Sequence, residues 1–390
     1  MTPRERFLKV LNGEMPDRVP VTLFIQDMGH FLNQMYPDID PWDFELLQLK
    51  VIELQKQLGV DVFARMLFCT DDSFHFIIGG VDIDQQTENW QVETREEQKG
   101  PTLLKRSRII TPDGVLTQEL SIFEERKGTW MFGCTEKPIK NHSDFEIARK
   151  YEPRMPPDWP QRANQRISRI KAALGDDGVL GTWSPFGPYN TLSLLIDHTE
   201  LYCLFLTDPD YYKSLMEFSI ERTVDYLHAI DSAGVDVHCI GGNVAGGFLG
   251  RKFFDEYILP YEKHYMDIVQ ENGTPGCYHN CGEIMNLVES YKELGVRWVE
   301  PFSPYPLGDG DLAKAKQVVG DAYVITGGID QVNILQKGCV EDVKRATEEV
   351  IKIGKPGGNF ILQTADFVEY GTKIENIEAY VQTAMQFADY

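Results

Sequence analysis

The chain has no run of eighteen or more apolar residues, so no segment is long and apolar enough for a membrane-spanning helix. It is short of positive charge: 38 Lys and Arg stand against 60 Asp and Glu, a formal net charge of −22. Nucleic acid needs a cationic footprint and anionic membrane surfaces attract basic segments, so neither suits this chain as a partner. A neutral or cationic small molecule, or a basic protein surface, suits it better. The opening MTPRERFLKVLNGEMPDRVP lacks the apolar core of a secretory signal. Cysteine is sparse: Cys69, Cys134, Cys203, Cys239, Cys277, Cys281 and Cys339 are odd in number and scattered. That pattern is no disulfide framework, and the expectation is reduced thiols in a cytoplasm. Internal repeats and low-complexity tracts are missing too.

What is present is ordinary globular composition, 42% hydrophobic and 25% charged. A length of 390 residues fits one large domain or two average ones. Thr2 and Glu5 have capping-box spacing, Pro3 suits a first helical turn, and Phe7, Leu8 and Leu11 form an apolar stripe. The chain therefore opens on a helix. Eight short apolar runs follow: Pro20–Ile25, Val60–Phe68, Val179–Ser184, Val235–Gly241, Pro275–Asn280, Val296–Pro301, Tyr323–Gly328 and Asn359–Thr364. Helix-length patterns separate most of them, including Phe44–Gly59, Phe254–Gly273, Gly282–Gly295 and Val340–Gly354. Gly59, Gly234 and Gly295 stand between helix ends and strand starts, where a C-cap glycine belongs.

Strands alternating with helices predict an α/β fold with a parallel sheet, and eight is the number that closes a (β/α)8 TIM barrel. An open doubly wound sheet is the alternative. Residues 82–140 break the rhythm. Alternating runs at Trp90–Thr94, Leu103–Thr111 and Val115–Phe123 surround the turn Pro112-Asp113-Gly114, which reads as a β-hairpin insertion after the second strand. The expectation is one barrel domain over residues 1–390, with an N-terminal helical extension and that insertion.

The most informative segment is Gly276-Cys277-Tyr278-His279-Asn280-Cys281-Gly282. On a strand, residues 277, 279 and 281 face the same way. The strand runs out into Gly282, so His279 and Cys281 sit at its C-terminal end, the active-site face of a barrel. An imidazole and a thiolate there can hold one metal, and together they are zinc chemistry. The plainer alternative is a pair of buried thiols acting as small hydrophobes beside a hydrogen-bonded histidine.

The chain resembles the uroporphyrinogen decarboxylase superfamily, which includes cobalamin-dependent methyltransferases. The resemblance rests on Thr2-Pro3-Arg4-Glu5-Arg6-Phe7, Pro16-Asp17-Arg18-Val19-Pro20-Val21, Gly187-Pro188, Pro260-Tyr261, His279-Asn280-Cys281-Gly282, Ile329-Asp330 and Glu375-Asn376-Ile377. It covers nearly the whole chain apart from the insertion, and it implies a (β/α)8 barrel. Decarboxylases of the family carry an Arg-Gln-Ala-Gly-Arg run after the first strand, whose arginines hold substrate carboxylates. Here the stretch reads Ile25-Gln26-Asp27-Met28-Gly29-His30, with both arginines gone. The methyltransferase branch binds Zn2+ through a His-x-Cys pair, matched by His279 and Cys281. Its third ligand is a Cys after the last strand, and Asp366 occupies that place. Asp366 is then a third metal ligand or a residue that touches substrate.

The resemblance implies a small methylated donor, methoxy or similar, and a corrinoid carried on a partner protein. Transfer from methylcobalamin to a thiol, and a decarboxylase-like lyase, are the alternatives. A carboxylate in place of a thiolate makes a harder site and favours oxygen-bearing substrates. The oligomeric state is open, a homodimer included. Glu300, ending Trp298-Val299-Glu300, is a candidate general acid, partner to His279 or alternative ligand, against a plain barrel-rim residue. Asp330 either orients substrate or caps a helix. Asn243 is a candidate catalytic residue in a glycine-rich loop whose Gly246 and Gly247 would allow close approach of a ligand or corrinoid ring. Tyr189 and Trp183 suit an aromatic pocket wall or the core, and His75 a pocket or a surface loop. Asp236-Val237-His238-Cys239-Ile240-Gly241 matches a run that donates His to cobalt elsewhere, and is read as coincidence because it lies inside a predicted strand.

Overall fold

The capping box at the N-terminus forms as the sequence predicts: Glu5 N–H donates to Thr2 Oγ1 at 3.2 Å and Thr2 N–H to Glu5 Oε2 at 2.9 Å. The helix Pro3–Leu11 that it starts buries Phe7, Val10 and Leu11. In this computed structural model, every residue is described except 26–28, 68–78, 128, 184–185 and 242–248. His75, Asn243, Gly246 and Gly247 therefore lie outside the described residues.

Strand β1 (Val62–Leu67) is followed by four antiparallel strands, β2 (Gln91–Lys99), β3 (Thr102–Thr111), β4 (Gly114–Arg126) and β5 (Thr129–Glu136). Then come β6 (Gly178–Trp183), β7 (Val237–Gly241), β8 (Gly276–His279), β9 (Trp298–Phe302), β10 (Val324–Ile329) and β11 (Phe360–Thr364). Strands β1 and β6 to β11 make one seven-stranded parallel sheet in chain order, each strand beside the next. Seven of the eight apolar runs are strands.

The first run, Pro20–Ile25, is corrected to a non-strand segment with one parallel bridge, Val21 to Leu362. It still lies against both edges of the sheet: Thr22 N–H donates to Leu362 O at 2.9 Å and Asp61 N–H to Val21 O at 2.8 Å. Its hydrogen bonds are too few to build a ladder, although its side chains are buried as a strand's would be.

The insertion is larger than the predicted hairpin. The turn at Pro112-Asp113-Gly114 does join β3 and β4, in register from Thr111–Gly114 to Thr102–Phe123. Strands β2 and β5 flank them, giving a four-stranded sheet. A second correction concerns Gly282–Gly295, which is wound as turns and one short 3-10 turn, Ser290–Lys292. Ile284, Leu287, Val288, Tyr291 and Leu294 are buried there. Their three-and-four spacing serves successive i to i+3 turns as well as an α-helix, so periodicity did not separate the two. Among the described residues, no helix is long and apolar enough to cross a membrane.

Alternation along the strands creates two layers inside the curled sheet. Phe63, Val179, Val237, Cys239, Cys277, Trp298, Val324 and Ile361 form one apolar cluster with Phe7, Val10 and Leu11 of the first helix. That helix therefore covers the N-terminal end of the sheet. Two residues further along the strands the inward side chains become polar: Arg65, His279, Glu300 and Gln363, all buried.

Candidate metal centre

Parallel pairing sets His279 on β8 directly beside Glu300 on β9. Their side chains meet, with His279 Nδ1 3.1 Å from Glu300 Oε1. Glu300 has no exposed surface, and its second partner is an arginine of β1. Arg65 donates from Nη1 to Oε1 and from Nη2 to Oε2, each at 2.6 Å, and from Nη2 to Gln363 Oε1 at 2.8 Å. Such a fork is the geometry guanidinium and carboxylate share. The guanidinium lies 4.0 Å from the Phe24 ring centre and 4.2 Å from that of Phe63. Burial works against charge on Glu300, but Arg65 first and then His279 hold its carboxyl below the usual range. Burial also opposes the His279 cation; contacts with Cys281 and Glu300 outweigh it and raise the imidazole to about 10.

Because Nδ1 is engaged, Nε2 is the His279 nitrogen available to a metal. His279, Cys281 and Asp366 each bring one ligand atom, and these atoms lie within 4.8 Å of one another. Cys281 stands two residues past β8 and Asp366 two residues past β11, both at C-terminal strand ends. Asp366 Oδ1 accepts the Phe367 N–H at 2.8 Å. Desolvation pushes its carboxyl above the ordinary range, with the His279 imidazole pulling the other way. Imidazole, thiolate and carboxylate are the donors zinc takes, and a carboxylate behind the histidine is the usual way its ring is oriented. The residues fit that ion.

Aromatic rings wall the trio. Trp183 stands edge-on to His279 at 5.1 Å between ring centres, and Phe24 at 6.0 Å. Phe367 packs edge-on to Phe24 at 6.4 Å. The inserted sheet reaches the same rim: Thr129 Oγ1 accepts the His30 N–H at 3.3 Å, and the Arg126 guanidinium covers the Tyr370 ring at 5.0 Å.

Of the residues singled out from sequence, His279, Cys281, Asp366, Glu300 and Trp183 come together. Tyr189 is corrected to a core residue. It is fully buried at the start of the helix Pro188–Leu195, against His198 and Phe253. A tyrosine in the first turn after a strand turns toward whichever layer has apolar volume to fill, and here the outer helices do. Asp330 is the cap of the short helix that follows β10. Its Oδ1 accepts the N–H groups of Val332 and Asn333 at 2.9 and 2.7 Å, and its Oδ2 the Asn333 side chain at 2.8 Å. His238 faces outward from β7, 1% exposed, with Nε2 engaged 3.3 Å from Asp231 Oδ1. Sequence reasoning passed over Arg65 and His30. A lone arginine inside the apolar run Val62-Phe63-Ala64-Arg65 was the available signal for the first; His30 carried none.

The model of the uroporphyrinogen decarboxylase (URO-D) family matches residues 135–387. The methylcobamide:CoM methyltransferase MtbA of Methanosarcina acetivorans is 26% identical over 186 residues, 46% of this chain and 53% of that protein. A uroporphyrinogen decarboxylase of Mycobacterium leprae is 26% identical over 151 residues, 37% of this chain and 40% of that protein. The chain thus spans about half the length of the curated relatives it matches. A solved methyltransferase from Methanosarcina mazei shares the fold over 99% of both chains, with a TM-score of 0.70 and 19% identity.

Proposed function

We propose that this chain, which belongs to the uroporphyrinogen decarboxylase (URO-D) family, is a zinc-dependent methyltransferase of a corrinoid system. It moves a methyl group from a small methoxy-type donor to a corrinoid protein. The observation that carries the reading is the convergence of His279, Cys281 and Asp366 within 4.8 Å, with His279 oriented by a buried glutamate. The trio stands at the C-terminal ends of the seven parallel strands, the end where barrel enzymes carry their sites. The methylcobamide activity named for the Methanosarcina relative supports the corrinoid side.

The donor's O–CH3 bond breaks and its electron pair stays with oxygen, which takes up a proton. A reduced corrinoid on the partner protein would supply the electron pair that takes the methyl group. Zinc held by the three side chains supplies Lewis acidity toward the ether oxygen. Glu300 fixes the His279 ring, and Arg65 fixes Glu300. Trp183, Phe24 and Phe367 exclude water and offer ring faces to the donor. The carboxylate of Asp366 in place of a second thiolate leaves a harder site. In this reading the corrinoid is carried by a partner protein, and His238, bonded to Asp231, is not called on to hold it.

Two other readings have an observation behind them. The CoM acceptor named for the same relative favours transfer from methylcobamide to a thiol. The decarboxylase relative favours a lyase, but Arg65 is already matched by Glu300 and Gln363 and leaves no fork for substrate carboxylates. The deciding assay mixes zinc-loaded protein with cob(I)alamin and methoxy-aromatic or methylamine donors and follows methylcobalamin optically. Methylcobalamin formation with at least one donor is expected. Rapid demethylation of methylcobalamin by a free thiol, with every donor inert, overturns the direction of transfer.

A further inference from the structure

The loop after β9 holds one large side chain out in solvent. It runs Ser303-Pro304-Tyr305-Pro306-Leu307-Gly308-Asp309-Gly310. Gly310 N–H donates to Ser303 O at 2.8 Å, and Leu307 N–H to Pro304 O at 3.0 Å. Prolines on either side of Tyr305 restrict the backbone further. Tyr305 itself is 87% exposed. The same loop is tied to the metal trio twice. Ser303 Oγ donates to the carbonyl of Ala365, the residue before Asp366, at 3.2 Å. Asp309 Oδ1 accepts the N–H groups of Ile284 and Met285, shortly after Cys281, at 2.7 and 3.1 Å.

Beside this loop lies a cleft of about 460 Å3. It runs between the helices Leu312–Val319 and Val340–Gly354, next to the C-terminal ends of β9 and β10. Leu312, Ile334, Val350 and Ile353 give it apolar walls, and Tyr305 lines it from the loop. Every charged residue that lines it is an acid: Asp311, Asp330 and Glu349. Asp330 is occupied by the N–H groups it caps, while Asp311 and Glu349 are exposed. An apolar trough edged by carboxylates matches a side chain with an apolar stem and a cationic head, which is Lys or Arg. Tyr305 favours a protein as the source of that side chain. A small ligand inside the cleft would leave most of the ring in water, whereas a tyrosine held out by a stiff loop is the kind of anchor protein interfaces use.

We propose that Tyr305 and this cleft are the docking surface for a basic face of the corrinoid-carrying protein, which seats a Lys or Arg side chain against Asp311 and Glu349 and packs apolar surface on the Tyr305 ring. The proposal rests on the corrinoid reading of the reaction and adds where that partner binds. The loop then joins the docked surface to both sides of the metal site, through Ala365 and Ile284.

The test measures the affinity of the zinc-loaded full chain for a corrinoid protein purified, with its cofactor bound, from the organism that makes this chain. Biolayer interferometry at low and at high salt reads it. The native chain should bind, more weakly as salt rises. Tyr305→Ala should weaken binding about ten-fold or more, the scale of losing an aromatic anchor. Glu349→Lys exchanges one good helix former for another, so the fold is kept. It should weaken binding about as much and flatten the salt dependence. Methylation of free cob(I)alamin needs no docked protein and should proceed at the native rate in both variants. Unchanged carrier affinity in either variant, equal losses with free cob(I)alamin, or a native chain that does not bind the carrier overturns the proposal. Calorimetric binding of n-hexylamine that Glu349→Lys abolishes, with carrier binding untouched, would make the cleft a small-amine site instead. A chain that binds the carrier as expected but methylates no corrinoid would overturn the reaction and leave the surface standing.

Discussion

His279 Nδ1 and Glu300 Oε1 are 3.1 Å apart because β8 and β9 pair those two residues in register. Neither could take another rotamer without leaving a buried polar atom unmatched. The arrangement reaches across the curled sheet to Arg65 on its edge strand β1, so a residue on β1 determines how a ring on β8 is presented at the mouth of the sheet.

Glu300→Gln keeps size and one acceptor but removes the charge that orients His279. Zinc affinity should fall by about 10–100-fold, the usual consequence of losing a histidine's carboxylate partner. Competition with a coloured chelator measures it. An unchanged affinity would mean the imidazole is held by something else.

Arg65→Met leaves Glu300 buried without its guanidinium partner and with His279 left beside it. Breaking such a pair from one side costs about 3–5 kcal/mol. Urea unfolding should show a loss of that order, and the double variant Arg65→Met with Glu300→Leu should recover much of it. A loss near zero in the single variant would show that Glu300 is protonated in the native protein.

Asp366 separates two roles. Asp366→Ala should weaken zinc binding if the carboxylate is a ligand and leave it nearly intact if it only touches substrate. Asp366→Cys should retain zinc while slowing demethylation, because a second thiolate lowers the metal's Lewis acidity. Metal content and the initial rate of methylcobalamin formation give the two readouts.

Glu262 gives a pH dependence away from the metal centre. Its carboxyl is fully buried on the helix Leu259–Val269, and neither oxygen has a hydrogen bond of good geometry among the described residues. Burial raises it from 4.5 to about 8, the Tyr189 backbone amide offsetting only part. Between those values the folded chain keeps the proton and the unfolded chain does not, so this group's stabilising effect is lost as pH rises from 4.5 toward 8. The slope is about 1.4 kcal/mol per pH unit. Glu262→Gln imitates the protonated form, so its stability relative to the native chain should rise by about that slope with pH. Unfolding midpoints at several pH values check this; a difference independent of pH would mean Glu262 is ionised when folded.

The strands and the meeting of His279 with Cys281 were legible in sequence because both depend on local pattern. A strand's period of two placed His279 and Cys281 on one face, and glycines at helix ends marked where strands begin. The Pro-Asp-Gly turn marked the inserted hairpin for the same reason. What escaped was non-local. Nothing near Arg65 in sequence names Glu300, 235 positions away. Asp330 looked like a site residue because strand ends supply both sites and caps, and only the three amides it binds decide between them. Pro20–Ile25 is as apolar as a strand, but its backbone pairing is set by the spacing of β1 and β11, which no local pattern encodes.

The measurement that bears most directly on the metal centre is the zinc content of the purified chain and its variants, by elemental analysis. About one zinc per chain is expected for the native protein, and less than about a tenth of that after His279→Ala or Cys281→Ala, with both variants still folded, since a three-ligand catalytic site does not tolerate loss of its imidazole or thiolate. Native protein that stays metal-free after incubation with zinc, or a zinc content that survives both substitutions, would contradict the assignment of His279, Cys281 and Asp366 as its ligands.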